Sequence, residues 1–289
     1  MTKTMSDMQT NNNIFIVDSY TDGISFGRAR DIDPTYGYCP VPLSLESEDL
    51  LGRLRSRYAL HKSDNPLYDL ERNLQSLSAQ GLLSRATIVF GAATDPFLPF
   101  DTKFAASMKF LEIFKRYTPH RLIIQTRSPL IVLAMPVIRQ LGRHVLVNVG
   151  IETFNEAVVK RYTPELPRIE ERVKILKALK SFNVPTGVQI GPVLPYGDWR
   201  EGAGEFAAKI LELTNTVTIS GLIDFAKGSR SAPYADRVAK ALADDRSFHC
   251  LRRDAAQPLI KALQQKGANI GWLEAIGTLP EQLPLPLSL

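Results

Sequence analysis

Arg127 is of a type that can hold an anion. Its planar guanidinium can grip a carboxylate or phosphate through two parallel hydrogen bonds, or close on an acidic side chain as an ion pair. It stands in Gln125-Thr126-Arg127-Ser128, with an amide and two hydroxyls beside it. A second polar group is Gly91-Ala92-Ala93-Thr94-Asp95-Pro96. Gly91 permits close backbone approach, while Thr94 and Asp95 supply a hydroxyl and a carboxylate. The same residues also suit a turn in which Asp95 caps the backbone ahead of a helix. A third group holds Asn148, Gly150, Glu152 and Thr153, and a fourth holds Gln189, Gly191 and Pro192. Asn148 interrupts the run VLVNV, so it points away from the faces of Val147 and Val149 and needs a buried partner or a ligand. Ser220 and Asp224 make a fifth group.

These groups share a position: each follows a short apolar run. The runs 14–18, 86–90, 122–125, 145–149, 186–190 and 217–223 read as six strands. Amphipathic stretches at 103–117, 130–141, 169–182 and 202–213 separate the later ones, and helices are also expected at 50–60, 66–80 and within 233–266. Strands apolar on both faces, alternating with helices, imply a parallel sheet covered on both sides. In such folds ligands bind at the carboxyl ends of the strands. Six strands suit an α/β partial (β/α)6 TIM-like barrel with C-terminal helices, and periodicity alone leaves a doubly wound open sheet as the alternative. Residues 1–13 read as a disordered lead-in, 19–49 as a long loop, 14–230 as the barrel, and 231–289 as a helical extension with a proline-rich tail at 279–289.

Composition sets the outer limits. With 44% apolar and 22% charged residues over 289 positions, disorder, collagen-like repeats and a coiled-coil rod are excluded. The longest apolar run, 129–138, is broken by Pro129 and Pro136 and is too short for a membrane span. The N-terminus lacks the pattern of a secretory signal, and two cysteines cannot build a disulfide framework, so the expected compartment is cytoplasmic. A net charge of +5 permits an anionic ligand such as a nucleotide or nucleic acid. The basic clusters Arg53, Arg55, Arg57, His61, Lys62 and Arg246, His249, Arg252, Arg253 lack interleaved aromatics and read as solvated helix faces.

The segments GAATDPFLP, IIQTRSPL, VNVGIET, YTPELP with ERVKILKAL, and VPTGVQIGPVLP follow one another in an order that resembles the radical S-adenosylmethionine superfamily. The branch they resemble contains spore photoproduct lyase and related DNA repair photolyase proteins. Thr94-Asp95-Pro96 with Pro99 is similar to that branch's TDP-x-x-P element. Thr126-Arg127-Ser128 is similar to its T-K-S element, with Arg in place of Lys. Tyr162 to Pro167 with Arg172, then Pro185, Pro192 and Pro195, fit the later elements. The resemblance covers residues 30–225. It implies a partial barrel, S-adenosylmethionine as cofactor, and Gly91, Thr94, Asp95, Thr126, Arg127, Ser128, Asn148, Glu152 and Gln189 as cofactor-binding residues.

The same resemblance implies a [4Fe–4S] cluster on C-x3-C-x2-C after the first strand. Here that region reads DPTYGYCPVP. Cys39 stands where the first ligand would, but Leu43 and Glu46 occupy the next two places. Cys250 lies 211 residues further on. Three thiolates cannot come from two cysteines, so a cluster held within one chain is not expected. Cys39 is read either as a remnant metal ligand or as a small buried apolar residue. The expected function is a radical-SAM-like barrel that binds S-adenosylmethionine, another nucleotide-like ligand or a partner protein without conventional radical chemistry. Two alternatives stay open: a lyase-type radical enzyme acting on nucleic acid, its cluster completed by a partner chain, and a non-catalytic scaffold.

Overall fold

Short apolar runs such as 122–124 have no polar face, so they are stable only where both faces are covered. The computed structural model, which describes residues 14–20, 23–28, 65–91, 95–97, 101–219, 233–252 and 254–272, places them in one eight-stranded sheet. Its strands are β1 (Ile14–Tyr20), β2 (Gly23–Arg28), β3 (Thr87–Phe90), β4 (Arg121–Thr126), β5 (Val145–Gly150), β6 (Thr186–Ile190), β7 (Thr216–Ile219) and β8 (Asn269–Trp272). The helices are α1 (Pro66–Ala79), α2 (Asp101–Arg116), α3 (Met135–Leu141), α4 (Glu156–Tyr162), α5 (Ile169–Ser181), α6 (Gly202–Leu213), α7 (Pro233–Asp244) and α8 (Gln257–Gln265).

The strand order is β2-β1-β3-β4-β5-β6-β7-β8, and every pairing is parallel except that of β1 with β2. From β1 onward the order never reverses. A doubly wound sheet must reverse at a switch point. Right-handed crossovers that always step the same way put all helices on one face and leave the other face concave. The topology is therefore that of a partial barrel.

The two faces carry different chemistry. Toward the helices point Ile88 and Phe90, Leu122 and Ile124, Val145, Val147 and Val149, Val188 and Ile190, and Val217 and Ile219, all in one buried apolar cluster. Phe110 and Phe114 of α2 meet Phe90 with ring centroids 5.9 and 5.8 Å apart. Leu176 and Leu179 of α5, Ile210 of α6 and Leu263 of α8 continue the layer. Helix starts follow ordinary capping rules: Asn65 accepts from Tyr68 N at 3.2 Å ahead of Pro66, and Asn155 accepts from Ala157 N at 3.0 Å.

All six expected strands are present. Two further ones were not anticipated. Residues 23–28 were expected to be loop but pair antiparallel to β1, from Tyr20↔Gly23 to Phe15↔Arg28. Gly23, Ser25 and Gly27 read as turn residues, whereas the alternation of Ile24, Phe26 and Arg28 suits an edge strand. β8 comes from the segment after 230 and extends the sheet beside β7. Helix α7 is fastened to the α4 region by two forked ion pairs, Arg161 on Asp245 at 2.8 and 2.9 Å and Arg237 on Glu165 at 2.6 and 2.8 Å. The expected lead-in at 1–13, the helix at 50–60 and the tail at 279–289 lie outside the described residues.

Truncating Phe114 should empty space against the Phe90 ring, between α2 and the sheet. Phe114→Ala is expected to lower stability by about 3–5 kcal/mol in urea unfolding. Leu133→Ala, at a side chain 62% exposed, should change it by no more than about 0.5 kcal/mol.

Candidate functional site at the carboxyl ends of the strands

On the concave face the side chains form rows set by register. Above Thr87 and Arg121 at the amino ends comes an apolar row, Val89, Ile123 and Leu146. One step toward the carboxyl ends come Gln125, Asn148 and Gly187. The next step holds Gly150, Gln189 and Thr218. Each row is two residues apart along its strand, so all point the same way. Gln125, Asn148 and Gln189 are no more than 2% exposed.

Asn148 spans a neighbouring strand to find a partner. Its amide nitrogen donates to Thr218 Oγ1 at 3.4 Å, crossing β6 at Gly187. A Cβ at Gly187 would lie 2.2 Å from Asn148 Oδ1, so only glycine leaves that path open. Among the described residues, Asn148 Oδ1 and both polar atoms of Gln125 and of Gln189 have no hydrogen-bond partner.

Above these rows sits a buried charge cluster. Glu152, fully buried after β5, is held by Arg127 from the end of β4 and by Arg172 of α5. Arg172 Nη1 reaches Glu152 Oε2 at 2.5 Å and Gly150 O at 3.0 Å. Its Nε donates to Pro167 O at 2.8 Å. Arg127 donates through Nε to Glu152 Oε1 and through Nη2 to Gly191 O at 2.7 Å. The Arg127 side chain lies across Gly150, where a Cβ would stand 2.7 Å from Nε. Burial alone would raise the Glu152 pKa, but the Arg127 and Arg172 guanidiniums outweigh it and hold the carboxyl below its ordinary range.

Asp95 is the clasp between the loop after β3 and the end of β4. Its Oδ1 accepts from Thr126 Oγ1 at 2.7 Å and Phe97 N at 2.9 Å, and its Oδ2 accepts from Arg127 N at 2.7 Å. Thr126 Oγ1 in turn accepts from Ser128 N at 2.9 Å, and Ser128 Oγ accepts from Leu130 N at 3.3 Å. Gly91, at φ +88°, brings the loop within reach: a Cβ there would meet Gln125 O at 2.7 Å. Asp95, Thr126 and Ser128 therefore hold backbone in place, while Asn148 and Gln189 point to the concave face of the sheet. Thr94, Cys39, Ser220 and Asp224 lie outside the described residues.

Arg172, Gly187 and Thr218 complete the site and were not among the expected site residues. Arg172 had a signal in the motif fit. Thr218 had one in its alternation with Val217 and Ile219. Arg127 faces a buried acid and not a surface one. In the second basic cluster Arg252 is forked on Asp254 at 2.7 and 2.8 Å and lies 5.2 Å over Trp199, so part of its charge is already matched.

No group of three His, Cys, Asp or Glu side chains able to hold a metal occurs among the described residues. Cys250 is buried, and burial pushes its thiol up to about 12, so it stays protonated near neutrality. Two cysteines cannot supply the three thiolates of a cubane site.

Removing the central carboxylate should strand two buried guanidiniums. Glu152→Ala is expected to cost about 3–5 kcal/mol in denaturant unfolding. The pH dependence follows from the depressed pKa. The unfolded chain binds this proton more readily, so the contribution of Glu152 is complete above the ordinary value of 4.5 and is lost as pH falls through the lower folded-state value. Acid titration of stability should therefore lose a component in Glu152→Gln that the unsubstituted chain shows.

No family model matches the chain. Over 127 residues, 43% of its length, it is 26% identical to an uncharacterized protein, ORF301, of Acidianus two-tailed virus, and the match spans 40% of that protein. Solved structures of spore photoproduct lyase are similar in fold. A cysteine-to-serine mutant superposes with TM-score 0.51 at 13% identity, covering 69% of this chain and 67% of that one. The complex with dinucleoside spore photoproduct gives 0.51 at 12%, covering 77% and 71%. A double mutant with bound AdoMet and dinucleoside spore photoproduct gives 0.52 at 11%, covering 94% and 86%. The chain thus shares the partial-barrel fold of the solved spore photoproduct lyase structures.

Proposed function

We propose that the chain is a radical-SAM-like barrel protein that binds S-adenosylmethionine or another nucleotide-like ligand at the carboxyl ends of its strands, without a cluster held by three thiolates of its own. The observation that carries the reading is the set of buried amides, Gln125, Asn148 and Gln189, with polar atoms left unpartnered on the concave face. Buried polar groups are nearly always satisfied in folded proteins, so several orphans in one chamber favour an occupant. The likeness to a structure with bound AdoMet and a dinucleoside supports the ligand class.

S-adenosylmethionine, when bound, would supply an activated sulfonium. The chain's own groups would bind and orient it. Gln125, Asn148 and Gln189 would contact it, and Asp95, Thr126 and Ser128 would fix the loops around it. The Arg127–Glu152–Arg172 cluster would hold the ends of β4, β5 and β6 at constant spacing. Glu152 is a poor general base, since it is ionised, enclosed and hydrogen-bonded to two guanidiniums. This argues against an acid–base lyase built on Arg127 and Glu152.

Calorimetric titration of the anaerobically purified chain with S-adenosylmethionine should give saturable binding near one per chain, with iron well below stoichiometry. A brown protein carrying a full cubane complement would overturn the cluster part of the proposal. Absence of binding by S-adenosylmethionine, S-adenosylhomocysteine and ATP alike would overturn the ligand part.

A further inference from the structure

The polar rows of the chamber have an unusual composition: they contain hydrogen-bonding groups and no charge. Gln125, Asn148, Gln189 and Thr218 are all neutral, and the row beneath them, Val89, Ile123 and Leu146, is apolar. The nearest ionic groups are Arg127 and Arg172, both closed on Glu152, with the Arg127 side chain lying over Gly150 at the upper edge of these rows. Within the rows the unpartnered atoms are of both kinds, and beyond them Arg172 Nη2 adds a further N–H donor. Gln125 and Gln189 each offer an amide N–H and a carbonyl oxygen, and Asn148 offers its Oδ1. Gly187 keeps that oxygen in place by leaving room for the Asn148 side chain to cross β6.

An occupant must match this mixture. A phosphate or carboxylate offers acceptors only, and would face carbonyl oxygens across a low-dielectric gap. An apolar group would satisfy nothing. A planar heterocycle with adjacent N–H donors and carbonyl or ring-nitrogen acceptors matches both, and carboxamides read such edges through paired hydrogen bonds. We infer that this chamber reads the uncharged edge of a nucleobase, so that the ligand enters base first, with its sugar and any charged part toward the Arg127–Glu152–Arg172 rim. The inference rests on the ligand class proposed above and adds which end of it is buried and which side chains recognise it.

The test uses the full chain and neutral probes. Adenosine and thymidine are titrated calorimetrically beside inorganic phosphate and ribose 5-phosphate. Gln189→Met and Asn148→Leu replace an amide with an apolar group of similar size. Both variants should bind the preferred nucleoside about tenfold more weakly or worse, while their ligand-free melting temperatures stay level or rise, because unpaired buried amides have been removed. Gly187→Ala keeps every amide but displaces Asn148, and should weaken binding in the same sense. A ligand-side arm needs no variant. N3-methylthymidine or N6,N6-dimethyladenosine, each lacking base N–H donors, should bind at least about tenfold more weakly than its parent.

Unchanged affinity in both amide variants would overturn the inference, as would tighter binding of the phosphates than of the nucleosides. Lower melting temperatures with retained binding would overturn it too, because the amides would then be holding structural water. If S-adenosylmethionine binds while no neutral nucleoside does, the base-inward reading fails and the preceding proposal stands. If nothing binds, both fail.

Discussion

Two guanidiniums closed on one buried carboxylate hold the carboxyl ends of the central strands together. Arg127 comes from the end of β4, Glu152 from beyond β5 and Arg172 from α5, and the Gly191 carbonyl adds the end of β6. Elements distant in sequence are thereby fixed at one point. Such a cluster is costly to desolvate, and its worth lies in geometry more than in net energy. Each partner constrains the next: Arg127 requires a bare Gly150 beneath it, and its backbone N–H requires Asp95.

The second organising fact is the difference between the two faces of the sheet. The helix side is mostly aliphatic and aromatic, and supplies cohesion in proportion to the area removed from water. The concave side changes character along the strands, from Val89, Ile123 and Leu146 in their middle to amides and Thr218 nearer the carboxyl ends. The sheet that stabilises the fold therefore also presents the chamber, because period-two alternation lets one strand serve both faces.

Much of this was legible in the residues. Continuous apolar runs separated by amphipathic stretches identify parallel strands and their helices, and Asn148 in VLVNV announces a polar interior. Strands β2 and β8 were not legible. GISFGR is rich in glycine and serine, and NIGW is short and mixed, so neither carries a pattern apart from its partner. Helix α4 is only seven residues long and was hidden by the loop chemistry around it. Within the site, the roles of Asp95 and Thr126 depend on contacts 31 residues apart, which spacing cannot report. Gly187 acts through the absence of a side chain, and only the path of Asn148 across it gives that absence meaning.

β8 has a consequence for how the chain is made. It pairs with β7 in parallel register, yet the two are separated by more than two helices' worth of sequence. Synthesis proceeds from the N-terminus, so β1 through β7 can assemble before residues 269–272 leave the ribosome. During that interval the outer edge of β7 presents unpaired N–H and C=O groups, and the face of α6 that later receives α8 is uncovered. The nascent barrel is thus most open to pairing with another chain just before its last strand arrives, and delay at that stage is where aggregation would compete with folding.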